Sequence, residues 1–432
     1  MNYQFAKALL PTGWAENVLI EVDDRGLIKS IETDADTAVK TTRVALPGFI
    51  NAHSHAFQRA FVGLSEYKTD PDDSFWTWRK LMYQFLQELT PDKCYAVAKQ
   101  LYQDMLRAGY TTVGEFHYVH NAADGKPYDN LTEMSDPHIQ AAIDCGMNIC
   151  FLPVLYQTGG MDRRELEANQ KRFYLSDEQF LELISQLDSR WSDQPNVNIG
   201  MAFHSIRAVS GETISRIAEQ FRSIKPTGQI HIHVAEQQNE VIEGVQVLGR
   251  LPVSYLQDHA QLDENWTLIH ATHMTRGEIS TTARSGAAVC VCPTTEANLG
   301  DGVFSGREFL VEFDGRLAIG GDSHVTVNPC AELRMLEYSQ RLSEQKRAIL
   351  CDEARSVGRF LCDKVSASGN SVTGLNVGSI EIGKQADFAV IDQPEFLLDL
   401  PTDRLLDYTI FNEFQLPIVQ SICRGKLIHD NN

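Results

Sequence analysis

Cysteine is scarce: nine in 432 residues, scattered, with no C-x-x-C pair. That excludes a disulfide framework and the usual structural zinc spacings, and it predicts a reduced, cytoplasmic protein. No apolar run approaches the roughly 20 residues of a membrane-spanning helix. The opening segment lacks the basic-then-apolar order of a secretion signal. Positive charge is in deficit, with 38 Lys+Arg against 58 Asp+Glu and a formal charge of −20. A nucleic-acid backbone or a polybasic membrane contact is therefore excluded as the main business, because both need a cationic surface. A local basic pocket for one small anion stays compatible with that charge. No glycine-rich dinucleotide fingerprint follows an early strand, which counts against an open doubly wound sheet. Repeats and low-complexity tracts are absent too. What remains is an ordinary folded composition, 43% hydrophobic and 22% charged, with length for two or three domains or one enlarged barrel.

The two ends of the chain are rich in strand patterns. Ala15–Val22 alternates, Asp24-Arg25-Gly26 is a turn, and Gly26–Ile31 resumes the strand. Near the other end, Ala386–Ile391 is an apolar strand, and Ile418–Cys423 with Lys426–His429 form a hairpin around Arg424-Gly425. These ends predict one small β-sandwich domain from residues 1–46 and 378–432. The middle, 47–377, alternates short apolar runs with amphipathic stretches. The runs are Leu46–Asn51, Thr111–Phe116, Asn148–Leu155, Val197–Phe203, Gln229–Val234, Trp266–His270, Ala287–Cys292 and Leu317–Gly320. Their β-branched content suits strands buried on both faces. The clearest helix covers 91–108, with Thr90 as cap, Pro91 at the first helical position and Gly109 as terminator. Eight strands alternating with helices predict an α/β fold, a parallel (β/α)8 TIM-like barrel, which carries its active site at the C-terminal ends of the strands.

Four of those strand ends carry metal-ligating side chains. The first ends in Asn51-Ala52-His53-Ser54-His55, and residues two apart on a strand face the same side. The fifth ends in His233 with Glu236 three residues on. The sixth ends at His270. The eighth runs into Gly320-Gly321-Asp322-Ser323. Imidazoles joined by a carboxylate suit one divalent ion, zinc first, which makes water acidic enough to act as a nucleophile near neutral pH. His231 lies deeper on its strand and fits a core position, while His273 and His324 fit supporting places beside the site. His120, His138, His259 and His429 fit loop or surface positions. The C-x-C of Cys290 and Cys292 could ligate, but two small buried apolar residues is the better expectation.

This pattern, with the P-G-F-I-N-A-H-S-H entry and the G-S-I-E-I-G-K-Q-A-D-F return, resembles the amidohydrolase superfamily over the whole chain. The fourth strand offers no bridging lysine, and the fifth carries H-x-x-E, so the resemblance falls to the mononuclear deaminase branch. It implies His53, His55, His233 and Asp322 as ligands of one divalent metal, most simply zinc. It also implies Glu236 as proton shuttle and His270, with Asp322, acting on the attacked group. A homodimer is a further expectation from the family.

Substrate choice rests on the loops. Gln58 follows the H-x-H. Asp73-Ser74-Phe75-Trp76-Thr77-Trp78-Arg79 is aromatic with an arginine, and Gly114–Tyr118 ends the second strand. His204 and Arg207 follow the fourth. Two arginines at the mouth fit a substrate with two carboxylates, since guanidinium grips carboxylate by paired hydrogen bonds. The alternative is that each pairs with one of the many protein acids. The segments H-S-H-A-F-Q-R-A, D-S-F-W-T-W-R, G-Y-T-T-V-G-E-F-H-Y, H-S-I-R-A-V-S and H-V-A-E-Q resemble the linear-amidine deiminases of histidine degradation within that superfamily. The resemblance implies hydrolysis of N-formimidoyl-L-glutamate to N-formyl-L-glutamate and ammonia, with Gln58, Arg79, Tyr118, His204 and Arg207 binding the substrate. A guanine-like or other ring deaminase would use the same metal shell, with the aromatic segment stacked on the ring. A non-catalytic barrel would have lost ligands.

Overall fold

The structure, a computed structural model, describes residues 1–36, 41–64, 66, 75–398, 400–412 and 418–430, and only the backbone of 75–77 and 80. The chain opens on β1 (Asn2–Leu10), β2 (Gly13–Val22), β3 (Ile28–Glu32) and β4 (Arg43–Pro47). β1 and β2 form a hairpin closing at Leu10 and Gly13, and β4 runs parallel to β1. β1 escapes the sequence pattern because its buried positions, Phe5, Ala8 and Leu9, do not alternate.

The barrel strands follow: β5 (Phe49–Ser54), β6 (Tyr110–His117), β7 (Asn148–Leu155), β8 (Val197–Ile199), β9 (Met201–Ser205), β10 (Ile230–Val234), β11 (Trp266–His270), β12 (Ala288–Val291) and β13 (Arg316–Ile319). They pair in the order β6-β5-β13-β12-β11-β10-β9-β7-β8, and β6 also pairs β7, which closes the barrel. Every pairing is parallel. β8 and β9 are two pieces of the expected fourth strand, parted at Gly200. Every residue of β5, β6, β7, β10 and β11 is buried, as strands covered on both sides require.

One expected strand is divided. Leu46 and Pro47 belong to β4 in the terminal sheet, and the barrel begins at Phe49. Gly48 makes the break: a Cβ there would fall 2.2 Å from Thr111 Oγ1, so only glycine lets the chain pass this close to β6. The chain ends on β14 (Phe388–Asp392), β15 (Ile418–Cys423) and β16 (Lys426–Asp430). With the first four strands they make one seven-stranded sheet, β16-β15-β14-β4-β1-β2-β3. Its own core includes Phe5, Val18, Ile20, Phe388 and Ile422, and the Phe5 and Phe388 rings meet edge-on at 5.6 Å.

The helix expected at 91–108 is Pro91–Arg107, and Thr90 Oγ1 accepts from the Lys93 N–H at 3.3 Å. Its face of Cys94, Ala98, Leu101, Tyr102 and Met105 is buried, each large side chain contributing about 1.5–3 kcal/mol. The long connection from β5 to β6 carries the helix Phe75–Leu86, and that from β7 to β8 carries Ala168–Phe173 and Asp177–Trp191. Arg172 ties two of these together. It is fully buried, and its guanidinium donates to the carbonyls of Leu86, Leu89 and Asn121. Two of those carbonyls close the C-terminal end of the helix Phe75–Leu86, where a cation is favoured by the helix dipole.

Two histidines expected in loop or surface positions lie in the interior, His120 in the loop after β6 and His138 on the helix Asp136–Cys145. His120 and His138 are buried, 3% and 0% exposed. Each satisfies one ring N–H on a main-chain carbonyl, Val154 at 2.9 Å and Met134 at 3.2 Å. Burial pushes both down to about pKa 4, so they are neutral core residues.

Candidate active site

Local backbone geometry builds the mouth of the barrel. Ala235, His270, Ala271, Asp322 and His324 all have positive φ, between +47° and +65°. Left-handed backbone at non-glycine residues carries strain of about 1 kcal/mol or more each. Here it turns the chain sharply at the ends of β10, β11 and β13, aiming side chains inward. Asp322 is stitched to the end of β5: its N–H donates to His53 O at 3.0 Å, and its carbonyl accepts from His55 N–H at 3.1 Å. Gly320 permits that approach, because a Cβ there would lie 2.7 Å from His53 Cβ. On the other side of β5, Glu115 accepts from Ser54 Oγ at 2.6 Å, from Ala56 N–H at 2.8 Å and from Tyr102 OH at 3.1 Å. The H-x-H segment is thus held from both flanks.

His53, His55, His233 and Asp322 converge. Their facing atoms form a closed ring: His53 Nε2 to His233 Nε2, 3.1 Å; His233 Nε2 to His55 Nε2, 3.4 Å; His55 Nε2 to Asp322 Oδ1, 3.4 Å; Asp322 Oδ1 to His53 Nε2, 3.5 Å. His55 Nδ1 donates to Phe116 O at 2.7 Å, and His233 Nδ1 to His204 O at 2.8 Å. Burial lowers the pKa of all three imidazoles, so they are neutral. With Nδ1 carrying the proton, His55 and His233 turn bare Nε2 lone pairs toward each other beside a carboxylate. That arrangement repels itself unless a cation lies between. Donors about 2.0–2.2 Å from one zinc-sized ion stand roughly 3–3.6 Å apart, and this ring matches that spacing. The donor set therefore fits one divalent metal. The Phe116 ring packs against all three imidazoles at 4.4–5.3 Å and keeps that side apolar.

A cavity opens above this ring. Glu236 and His270 line it, with His270 Nε2 at 3.9 Å from both Glu236 Oε1 and Asp322 Oδ2. Burial raises the Glu236 carboxyl, against the pull of His270 and Arg207. For His270, burial alone would lower the pKa, but Glu236, Glu296 and Asp322 together raise it well above the ordinary value. Its Nδ1–H points at Glu296 Oε1, 3.2 Å away, which leaves Nε2 facing the cavity.

Gln58, Arg79, Tyr118, His204 and Arg207 line the same cavity. Gln58 Nε2 donates to Tyr118 OH at 3.2 Å, while its Oε1 is buried without a hydrogen-bond partner. Arg79 Nε donates to Tyr83 OH at 2.5 Å and Arg79 Nη2 to Tyr156 OH at 3.5 Å. Gln170 braces both phenols, donating to Tyr156 OH at 3.0 Å and Tyr83 OH at 3.4 Å. Arg207 is not waiting alone: Nη2 lies 3.4 Å from Glu236 Oε2 and Nε 3.8 Å from Glu240 Oε2. The bland alternative of an arginine paired with protein acids thus holds in part, and one of those acids is the expected proton shuttle. Burial lowers the His204 pKa, and positive charge from Arg207 and Arg79 lowers it further, so both guanidinium groups bear on this imidazole. Of the aromatic stretch before Arg79, Asp73 and Ser74 lie outside the described residues, and Phe75, Trp76 and Thr77 are described by backbone alone; Trp78 lines the cavity.

Over residues 44–428 the sequence matches the model of the amidohydrolase family. The chain belongs to the amidohydrolase family. Residues 2–41 match a second model, described as formimidoylglutamate deiminase HutF, N-terminal domain. Among similar amidohydrolases is a formimidoylglutamate deiminase of Pseudomonas aeruginosa, 42% identical over 94% of this chain and 89% of that protein. An amidohydrolase crystal structure from Brucella melitensis superposes with a TM-score of 0.93 at 39% identity, covering 100% of this chain and 95% of that one. A zinc-bound adenosine deaminase from Xanthomonas campestris shares the fold at a TM-score of 0.79 and 20% identity, covering 100% and 93%.

Several residues of this amidohydrolase site carry no sequence mark of their own. Glu296 follows β12 within Pro293-Thr294-Thr295-Glu296, and only the fold shows that it reaches His270. Tyr83, one turn after Arg79 on the same helix, and Tyr156 and Gln170, both from the connection between β7 and β8, come together around Arg79. Glu240 lies four residues after Glu236, in the first turn of the helix Gln238–Glu243. His231 is in the core as expected, donating to Val372 O at 2.9 Å, and His324 supports the site through Ser54 Oγ at 2.9 Å.

Proposed function

We propose that this amidohydrolase hydrolyses N-formimidoyl-L-glutamate: water adds to the formimidoyl carbon, the C–NH2 bond breaks, and N-formyl-L-glutamate and ammonia leave. The observation that carries the proposal is one cavity in which a metal-donor ring, a buried acid and two arginines converge. His53, His55, His233 and Asp322 would hold the divalent ion, most simply zinc. When bound, that ion supplies Lewis acidity, which brings a water's pKa toward about 7.

The remaining work falls to the chain's own residues. Glu236 is buried with its carboxyl raised, so it can take a proton from the attacking water and release it to the departing nitrogen. His270, held charged by three carboxylates, directs Nε2 at the reacting centre and stabilises negative charge that develops on its oxygen. Arg79 and Arg207 each meet one substrate carboxylate, which fixes the reacting carbon in place. A carboxylate arriving at Arg207 competes with Glu236 for the same guanidinium, so recognition and acid–base chemistry share a group. Gln58, Tyr118 and His204 supply neutral hydrogen bonds, the free Gln58 Oε1 accepting a substrate N–H.

Part of the proposal is a cytoplasmic homodimer. All nine cysteines are free thiols, which suits a reducing compartment, and no helix of the described residues is long and apolar enough to cross a membrane. Sedimentation of the purified protein tests the dimer. The function is tested by ammonia release from N-formimidoyl-L-glutamate by zinc-loaded protein, with N-formimidoyl-L-aspartate and guanine alongside. Rapid release from the glutamate compound alone is expected. Release from guanine instead, with metal bound, would overturn the substrate assignment and favour a ring deaminase.

A further inference from the structure

Glu240 places an ionisable side chain where water does not reach, 1% exposed, on the short helix Gln238–Glu243. An ionisable group so placed needs partners, and two of its three, Glu236 and Arg207, line the catalytic cavity. One carboxyl oxygen accepts from the N–H of Ala235 at 3.0 Å. The other lies 3.4 Å from the N–H of Glu236 and 3.8 Å from Nε of Arg207. Arg207 then returns to the Glu236 carboxylate through Nη2 at 3.4 Å. The contacts close a loop: Glu240 to the backbone of Glu236, along its side chain, across to Arg207, and back. Ala235, the residue that Glu240 grips most firmly, is left-handed at φ +51°. That strained turn ends β10 and sets where Glu236 points, and it persists only if the surroundings hold it.

A helix-capping role would account for the two backbone bonds, since a glutamate in the first turn commonly reaches back in this way. It would not account for Arg207, which comes from the connection after β9. Arg207 Nε is buried with no hydrogen-bond partner, and the Glu240 carboxylate is the anion beside it. We propose that Glu240 is a positioning residue for the reaction, setting together the backbone that aims Glu236 and the guanidinium that receives a substrate carboxylate. The inference rests on the deiminase assignment for the identity of that carboxylate.

The test is a double-mutant cycle of Glu240→Gln with Arg207→Met, read as KM and kcat for N-formimidoyl-L-glutamate beside metal content and Tm. Glutamine keeps an oxygen for the Ala235 N–H but removes the charge beside Arg207. On the wild-type background, KM should rise about tenfold with a smaller fall in kcat, the scale of one lost coupling between buried charged neighbours. On the Arg207→Met background, the same change should add less than about twofold, because its target is gone. Glu240→Ala, which also frees the Ala235 turn, should in addition lower kcat. Equal effects of Glu240→Gln on both backgrounds, or wild-type constants, would reduce Glu240 to a helix cap and overturn the proposal. If Glu240→Gln does not fold, Glu240→Asp enters the same cycle with its charge kept but its reach shortened. If the wild type releases no ammonia, the deiminase assignment fails by itself. A crystal structure of Glu240→Gln then decides the positioning role: a guanidinium moved away from Glu236 supports it, and an unmoved one overturns it.

Discussion

Replacing Glu332 with glutamine should remove one part of the protein's sensitivity to alkali. Glu332 is fully buried. Its Oε1 accepts from the Thr294 hydroxyl at 2.6 Å and its Oε2 from the Thr294 N–H at 2.9 Å. Burial pushes its pKa up from 4.5 to about 8, the two Thr294 bonds opposing and the charges of Glu296 and Asp322 adding. A folded pKa above the unfolded one means the native chain binds the proton more tightly. The stabilisation is full below the unfolded value and is lost as pH rises through the folded value. From pH 6 to pH 9 that is about two units of titration, on the order of 3 kcal/mol at about 1.4 kcal/mol per unit. Glutamine keeps both contacts, its oxygen accepting from Thr294 N–H and its amide donating to the hydroxyl, and it does not titrate. The stability of the variant minus that of the wild type should therefore grow by about 3 kcal/mol between pH 6 and pH 9. A chain of this length unfolds with an entropy of roughly 0.9 kcal/mol/K, so the difference is about 3 °C in Tm. Thermal unfolding of metal-saturated protein at pH 6, 7.5 and 9 measures it. A Tm difference that stays constant over those three points would refute the reasoning, because the buried carboxyl would then carry no extra proton.

Glu236→Gln should bind metal like the wild type and lose roughly a thousandfold or more in kcat; metal analysis beside ammonia release checks it, and near-normal turnover would remove Glu236 from the proton path. Arg207→Met should raise KM roughly a hundredfold, with titration of N-formyl-L-glutamate giving the same weakening; unchanged affinity would sink the arginine assignment. His138 is held down at about pKa 4 by burial, so the stability it confers is present above its unfolded value and lost as pH falls toward 4, on the order of 2 kcal/mol by pH 5. His138→Phe should make the acid limb of urea unfolding shallower, and an equally steep limb would contradict this. Chelation should lower Tm by about 4–5 °C if the ion had been present at a thousand times its dissociation constant; zinc should restore it, and an unmoved Tm would mean that the donor ring holds no ion.

The barrel was legible because its strands are covered on both sides and appear as apolar runs, and because strand ends keep a period of two. His53 and His55 show this most directly: alternate residues share a face whatever the rest of the fold does. The division at Gly48 was not legible, since the apolar run crosses it without interruption and the reason for the break, Thr111, lies on another strand. Nor were the depths of His120 and His138, because an imidazole that satisfies a carbonyl looks no different in sequence from one that meets water. Arg207 shows a further limit. Its residue type suggested an anion, but which anion it already holds depends on the connection after β9 meeting the end of β10.

The terminal sheet has a consequence for how the chain is made. β4 pairs with β14 from Leu46 and Pro47 to Phe388 and Ala389, so the N-terminal strands must wait for about 340 further residues to be synthesised. At about 5–20 residues per second that delay is roughly 17–70 s. Over that time the edge of β4 and the apolar face carrying Phe5, Val18 and Ile20 remain without their partners. The nascent chain is then most open to mispairing and to capture by chaperones, and the later hairpin, β15 and β16, extends the sheet beyond β14.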